Sequence, residues 1–251
     1  MVRSLTDNMI EVEDLSKRYG FHAAVSGLSF RVARGDVLGF IGPNGAGKTT
    51  TMKMLCGVLP VYSGSVRICS IDLSTDPRAA REKVGFLPEN APLHPSMTVS
   101  SFLDYAARMR GIGGRRVRRE KIALASARCG LDSVMEKEIE TLSKGFRRRV
   151  SLAQAILHEP PVLILDEPTD GLDPNQKREI RALIETLRGT SAIILSTHIL
   201  EEVEAVCTRV LLLCAGKKVF EGTREEFLAL RGDNEDMSAL FARLTGEGGR
   251  T

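Results

Sequence analysis

The spacing of apolar residues changes character along the chain. Between residues 8 and 40 apolar positions alternate with polar ones, as at Ile10 and Val12 and again at Leu28, Phe30 and Val32. A turn at Ala33-Arg34-Gly35-Asp36 interrupts the pattern. A period of two predicts antiparallel strands. From residue 37 the alternation gives way to compact runs, at Val37–Ile41, Val84–Leu87, Val162–Leu165, Ile193–Ser196 and Val210–Leu213. Helical stretches separate several of them. Runs without alternation suit strands buried on both faces, as in a parallel sheet flanked by helices.

Between about Pro88 and Leu157 the strand signal is poor and the helical signal good. Thr98 is placed to cap a helix carrying Val99, Phe102, Leu103 and Ala106, ended by Gly111. Residues 115–129 and 146–158 read as two further helices. Thr223 and Glu226 have capping-box spacing and open a helix through Leu230, whereas 247–251 read as frayed. The expected organisation is one α/β domain. Residues 1–87 and 158–222 form a core of mostly parallel sheet with an N-terminal antiparallel β subdomain. Residues 88–157 form an inserted α-helical subdomain, and 223–251 a C-terminal helical tail.

Composition narrows the class. A chain of 251 residues, 43% hydrophobic and 27% charged, is neither a disordered polymer nor a disulfide scaffold. Its longest apolar runs fall far short of the roughly 20 residues a bilayer crossing needs. Met1 to Glu11 contains Asp7 and no apolar segment of the kind a secretory signal carries. A net charge of +3 is too small to be a nucleic-acid footprint by itself. Five cysteines, never spaced CxxC, suit a reducing compartment and give no zinc signal.

The chemistry begins after the run Val37–Ile41. Gly42-Pro43-Asn44-Gly45-Ala46-Gly47-Lys48-Thr49-Thr50 fits the phosphate-binding loop pattern of Gly, four residues, Gly-Lys-Ser/Thr. Glycines allow backbone N–H groups to turn inward on a phosphate, and a helix starting near Lys48 adds its positive end. Lys48 is then expected on the β- and γ-phosphates, with the Thr49 hydroxyl on Mg²⁺. Such a loop says only that a nucleotide is bound. Val162–Leu165 ends in Asp166-Glu167, beyond the carboxyl end of a sheet strand, where ligands of open α/β sheets sit. Asp166 is expected to hold Mg²⁺ and Glu167 to polarise an attacking water. The alternative for this pair is a polar turn after a core strand. His198, after the run Ile193–Ser196, is either structural or a γ-phosphate contact.

Together these residues resemble the ATP-binding subunit of an ABC transporter over nearly the whole chain. Leu142-Ser143-Lys144-Gly145-Phe146 lies 23 residues before Asp166, where that family has its LSGGQ signature. Asp166-Glu167-Pro168-Thr169 runs on to Gly171-Leu172-Asp173-Pro174, which resembles the D-loop, and Ser196-Thr197-His198 resembles the switch-histidine segment. Tyr19 stands where an aromatic stacks on adenine. The resemblance implies a P-loop NTPase fold and ATP with Mg²⁺, and no covalent cofactor is expected. It also implies two domains paired head to tail, with ATP on Lys48 and Thr49 of one completed by Ser143, Lys144 and Gly145 of the other. Asp173 is implied at the same interface. Hydrolysis through Glu167, Lys48 and His198 would drive an integral-membrane permease from the cytoplasmic face. Ser143 is equally suited to be a simple helix N-cap.

The motifs depart from the family pattern at four positions. Lys144 replaces a glycine and Phe146 a glutamine, while Ser143 and Gly145 keep the pattern. Glu89 stands where the Q-loop usually has Gln, so a carboxylate takes the place of an amide as a Mg²⁺ or water ligand. These variants, with Pro92–Val99, resemble subunits serving ABC-2 type permeases, mostly exporters. Asp170, where many relatives carry Ser or Ala, has no evident role in the sequence. Arg108, Arg110, Arg115, Arg116, Arg118, Arg119 and Lys121, with Arg147–Arg149 beyond, form basic clusters that read either as a solvated helical face or as a contact with anionic headgroups. A soluble ABC-type machine acting on DNA or ribosomes is the rival reading. Such proteins usually carry a long coiled coil or tandem domains, and here single copies of Lys48 and Ser143 lie 95 residues apart. A small-molecule kinase would have no use for Ser143-Lys144-Gly145, and an idle regulatory domain would not need Lys48, Asp166, Glu167 and His198 together.

Overall fold

The computed structural model describes residues 8–232, Glu235 and residues 237–245; the segment 247–251, expected to fray, lies outside them. Two long strands, β1 (Asn8–Tyr19) and β2 (His22–Ala33), form an antiparallel hairpin. Its register sets Ile10 opposite Val32, Val12 opposite Phe30 and Leu15 opposite Leu28, the residues that alternate in the sequence. The Asp36 carboxylate accepts the Ala33 N–H at 3.1 Å and closes the following turn. There the chain leaves the hairpin, and β3 (Val37–Ile41) enters a second sheet.

That sheet has six strands. It comprises β3 with β6 (Val84–Leu87), β7 (Val162–Asp166), β8 (Ala192–Ser196), β9 (Arg209–Cys214) and β10 (Lys217–Thr223), in the order β10-β9-β3-β8-β7-β6. The five strands other than β10 run parallel and are the five apolar runs of the sequence; β10 is antiparallel to β9. The hairpin's own sheet is completed by β4 (Ser63–Ile68) and β5 (Ile71–Asp72), in the order β2-β1-β4-β5.

Two buried clusters explain why the parallel strands read as unbroken apolar runs. Val162 and Ile164 of β7 join Leu38, Phe40 and Ile194 in a core shared with the antiparallel sheet and α1 (Lys48–Leu55). Leu163 and Leu165 of the same strand join Val37, Ile41, Ile193 and Leu195 in a core on the opposite face. Successive side chains point to opposite faces of a strand, so both cores draw on every parallel strand, and polar residues are confined to strand ends such as Asp166, Ser196 and Arg209. The second core is filled by α3 (Val99–Met109), α4 (Arg115–Cys129), α5 (Lys144–Ile156) and α6 (Pro174–Arg188). The short helices α2 (Pro77–Glu82), α7 (Leu200–Val206) and α8 (Arg224–Ala229), with α9 (Met237–Thr245), complete the described chain.

Local cap chemistry operates where the sequence places it. The Thr98 hydroxyl accepts the Ser101 N–H at 3.2 Å, and Thr223 and Glu226 form a reciprocal capping box. The helix expected at 146–158 shifts towards the N-terminus to Lys144–Ile156, its start set by the Ser143 hydroxyl, which accepts the Phe146 N–H at 3.3 Å.

Part of the basic clusters is paired within the fold, while Arg115, Arg116 and Arg119 are exposed. Arg108 and Arg118 both bind the Asp104 carboxylate, at 2.8 and 2.9 Å. Arg110 donates to the carbonyls of Arg81 and Val84, Lys121 pairs with Glu159, and Arg149 with Glu179. Among the described residues no helix is long and apolar enough to cross a membrane.

His158, just past the end of α5, has a pKa pushed down to about 4, chiefly by burial and then by Arg110, against a weaker pull from the Val84 backbone. It is therefore neutral in the folded chain, while in the unfolded chain it takes up a proton near pH 6.5. The unfolded state thus binds more protons as pH falls from about 6.5 towards 4, and stability drops over that window. Thermal melts of the wild type and His158→Met should coincide in pH dependence above pH 7 and diverge below 6.5, the wild type falling more steeply. Parallel curves down to pH 5 would exclude this role for His158.

Candidate functional site

The loop after β3 is shaped by its glycines. Gly42 and Gly47 have φ of 148° and 103°, and a Cβ at either would run into a backbone carbonyl, of Leu213 and Ala24 respectively. Gly47 is also the N-cap of α1 and supplies no side chain to it, so the first-turn amides face the loop uncapped. Uncapped amides with the positive end of a helix dipole make an anion site. The Lys48 ammonium is folded back over this loop, donating to the Gly42 and Pro43 carbonyls at 2.7 and 3.1 Å. Burial holds its pKa below the ordinary lysine value, opposed by Glu167, Asp166 and Glu89.

Across the sheet, register brings the acidic residues to the same edge. Asp166 of β7 pairs with Ser196 of β8, and β8 pairs with β3 at Phe40. The Ser196 hydroxyl donates to Asp166 Oδ1 at 2.6 Å and accepts the Glu167 N–H at 2.9 Å. Thr49 Oγ1 lies 3.5 Å from the same Asp166 oxygen. The other carboxylate oxygen, Oδ2, is buried with no hydrogen-bond partner. A buried anionic oxygen without a donor is costly unless a cation meets it. Among the described residues no three His, Cys, Asp or Glu side chains converge to hold an ion by themselves. A metal at Asp166 and Thr49 must therefore draw its remaining ligands from water or a bound anion, which is how Mg²⁺ is usually held beside phosphates.

Glu167 has the left-handed conformation (φ 50°), uncommon for a residue with a Cβ. Its carboxylate lies 3.2 Å from His198 Nδ1. Burial raises its pKa above the ordinary glutamate value, and the hydrogen bond from His198 and the charge of Lys48 oppose the rise.

These groups line a cleft of about 440 Å³. Asn44 to Thr50 form one wall; Glu89, Asp166, Glu167, Asp170 and His198 form another; Tyr19, His22 and Ala24 close the end formed by the β-hairpin. The Tyr19 ring is half exposed there. Gly42 and Pro43 contribute through their carbonyls to Lys48. Ser143, Lys144, Gly145 and Asp173 do not line the cleft. Ser143 caps α5, Gly145 packs against Gln176, and Asp173 caps α6 in a capping box with Gln176. Lys144 pairs with Asp170 at 3.1 Å, which accounts for Asp170: the lysine that departs from the family signature meets the aspartate that departs from the family loop. His22 and Arg148 are the residues sequence reasoning missed. His22 lies just across a hairpin turn from Tyr19, and Arg148 reads in the sequence as one of a surface-like Arg triplet.

Residues 25–170 match the ABC transporter family model. The chain belongs to that family. It is 36% identical over 246 residues to the "Probable multidrug ABC transporter ATP-binding protein YbhF" of Escherichia coli strain K12, across 95% of this chain and 42% of that protein. This chain thus spans less than half the length of YbhF. It is 39% identical over 222 residues to the Nod factor export ATP-binding protein I of Paraburkholderia xenovorans strain LB400, across 88% of this chain and 72% of that protein. A solved ATP-binding subunit of an ABC transporter superposes with a TM-score of 0.84 at 29% identity, covering 94% of this chain and 99% of that one. Membership of this family implies that the chain binds ATP.

If Lys48 holds the phosphates, as the loop motif predicts, removing its ammonium deletes charge-assisted hydrogen bonds worth about 1.5–3 kcal/mol, or roughly tenfold to a hundredfold in affinity. Isothermal titration of Lys48→Ala with ATP should show that loss while the thermal melt without nucleotide stays close to wild type. Unchanged ATP affinity would remove Lys48 from the phosphate site.

Proposed function

We propose that this chain is the ATP-hydrolysing subunit that powers an export-type ABC transporter, working at the cytoplasmic face against an integral-membrane permease. Support for export comes from the names of its relatives, a multidrug transporter protein and a Nod factor exporter. The departures at Lys144, Phe146 and Glu89 further favour a permease of the ABC-2 type. No transport-independent machine acting on DNA or ribosomes is named among the relatives above.

One observation carries the hydrolytic reading. Glu167, its basicity raised by burial, is oriented by His198 at the edge of a cleft whose opposite wall is a phosphate loop with its lysine. In this reading Lys48 and the first-turn amides of α1 hold the phosphates. Tyr19 offers its half-exposed ring to the base. The Glu167 carboxylate accepts a proton from the attacking water, and His198 fixes the carboxylate's direction. Asp166 and Thr49 would hold Mg²⁺, which when bound would neutralise phosphate charge; Glu89 is placed on the same cleft as a further oxygen donor.

Ser143, Lys144 and Gly145 sit outside their own chain's cleft at the start of a 13-residue helix, Ser143 and Lys144 exposed and Gly145 buried against Gln176. A helix N-terminus with a hydroxyl cap is a donor site for an anion. The reading places it, with Asp173 nearby, on the triphosphate bound to a second ATP-binding subunit. ATP then closes the pair and hydrolysis reopens it, and the permease converts that cycle into movement of cargo.

Glu167→Gln removes the base and leaves the phosphate loop untouched. Its ATP turnover should fall by about a hundredfold or more, and with ATP and Mg²⁺ it should run as a dimer in size-exclusion chromatography with light scattering. A variant that binds ATP yet stays monomeric at high concentration would contradict the paired site, and one that still turns over would contradict the role of Glu167.

A further inference from the structure

Arg148 lies in the first half of α5, 8% exposed, with its hydrogen bonds directed to main-chain carbonyls. Its guanidinium carries five N–H donors, and each of them is used on a backbone carbonyl. Nη1 donates to Pro88 and Glu89, both at 2.8 Å. Nη2 donates to Asp166 and, at 2.7 Å, to Glu167, and Nε donates to Pro168 at 3.3 Å. The five acceptors belong to two segments, one leaving β6 and the other leaving β7. Both segments contribute side chains to the ATP cleft.

The Glu167 peptide is held from both sides. Its N–H is taken by Ser196 and its carbonyl by Arg148, at the one residue of the cleft other than glycine with a left-handed backbone. Left-handed conformations of such residues persist where their surroundings over-determine them. The same guanidinium grips the Glu89 carbonyl, so Glu89 and Glu167 are set relative to one another by a single side chain. That side chain is carried by α5, the helix that starts at Ser143-Lys144-Gly145.

We infer that Arg148 is a positioning residue for hydrolysis, a planar five-point clamp that aims Glu167 and ties its geometry to the signature helix α5 and to the Glu89 segment. It is not among the residues that line the cleft. The inference rests on Glu167 being the hydrolytic base. A shift of α5 on pairing with a second subunit would reach the Glu167 backbone through this one group.

The test is Arg148→Lys, which keeps the charge and replaces the planar fork with a point charge on a flexible stem. Steady-state ATPase kinetics and direct ATP binding are read together, with Glu167→Gln alongside. A mispositioned base should lower kcat by about a hundredfold while KM and the ATP Kd stay within about threefold. Arg148→Ala provides a second reading: added guanidinium should restore much of its kcat, and methylammonium at the same concentration should not. If near-UV circular dichroism shows that Arg148→Lys is unfolded, the guanidinium comparison decides. Wild-type kcat in Arg148→Lys, an equal fall of kcat and ATP affinity, or no selectivity for guanidinium would each overturn the clamp. Turnover surviving in Glu167→Gln would instead overturn the underlying reading of the base, whatever Arg148 does.

Discussion

The in-register parallel pairing of β3, β8 and β7 is the constraint from which the site follows. Phe40 beside Ser196, and Ser196 beside Asp166, align the carboxyl ends of three strands. From those ends spring the phosphate loop, the His198 segment and the acidic pair. A slip of one residue in any of these pairings would turn apolar side chains towards the wrong core and carry Ser196 and Asp166 out of line with the loop after β3. Two hydrophobic cores thus enforce the geometry of a polar cleft that belongs to neither.

Electrostatics then sets what the cleft accepts. Glu89, Asp166 and Glu167 all act on Lys48, and Lys48 is engaged with its own loop carbonyls. One Asp166 oxygen is bonded to Ser196 and the other is buried and unpaired. A site with excess carboxylate on one wall and uncapped amides on the other suits an anion that arrives with a divalent cation. Neither half of that ligand alone matches both walls. Around this centre, the cations of α5 find partners within the fold: Arg148 on main-chain carbonyls, Arg149 on Glu179 and Lys144 on Asp170.

Much of this was legible in the sequence, for reasons tied to particular residues. The five parallel strands announced themselves because both faces of each are buried, and Thr98 and Thr223 marked their helices because capping chemistry is local. Lys48, Asp166, Glu167 and His198 share one cleft because motif spacing encodes which strand ends they follow. The strands β4, β5 and β10 were not foreseen: Ser63–Ile68 is mixed in character, Ile71–Asp72 is two residues long, and Lys217–Thr223 is an edge strand rich in polar residues. Arg148 was hidden for a different reason. Its partners are main-chain carbonyls far away in sequence, and nothing in an Arg-Arg-Arg triplet distinguishes the middle residue until the helix packs. The Lys144–Asp170 pair was hidden in the same way, as two separate oddities without a visible link.

The central claim is that each cleft is half a site, completed by the signature helix of a second copy or close relative. Mixing two variants tests it directly. Lys48→Ala spoils the phosphate loop and Ser143→Ala together with Gly145→Ala spoils the opposing donors, so each variant alone should be nearly inactive. In a head-to-tail pair with two-fold symmetry, a mixed dimer contains one site built wholly from unaltered residues. An equimolar mixture should then regain up to about a quarter of wild-type ATP turnover, since about half the dimers are mixed and each has one intact site. A mixture no more active than its two components would show that Ser143 and Gly145 do not act on a neighbour's Lys48-bound ATP.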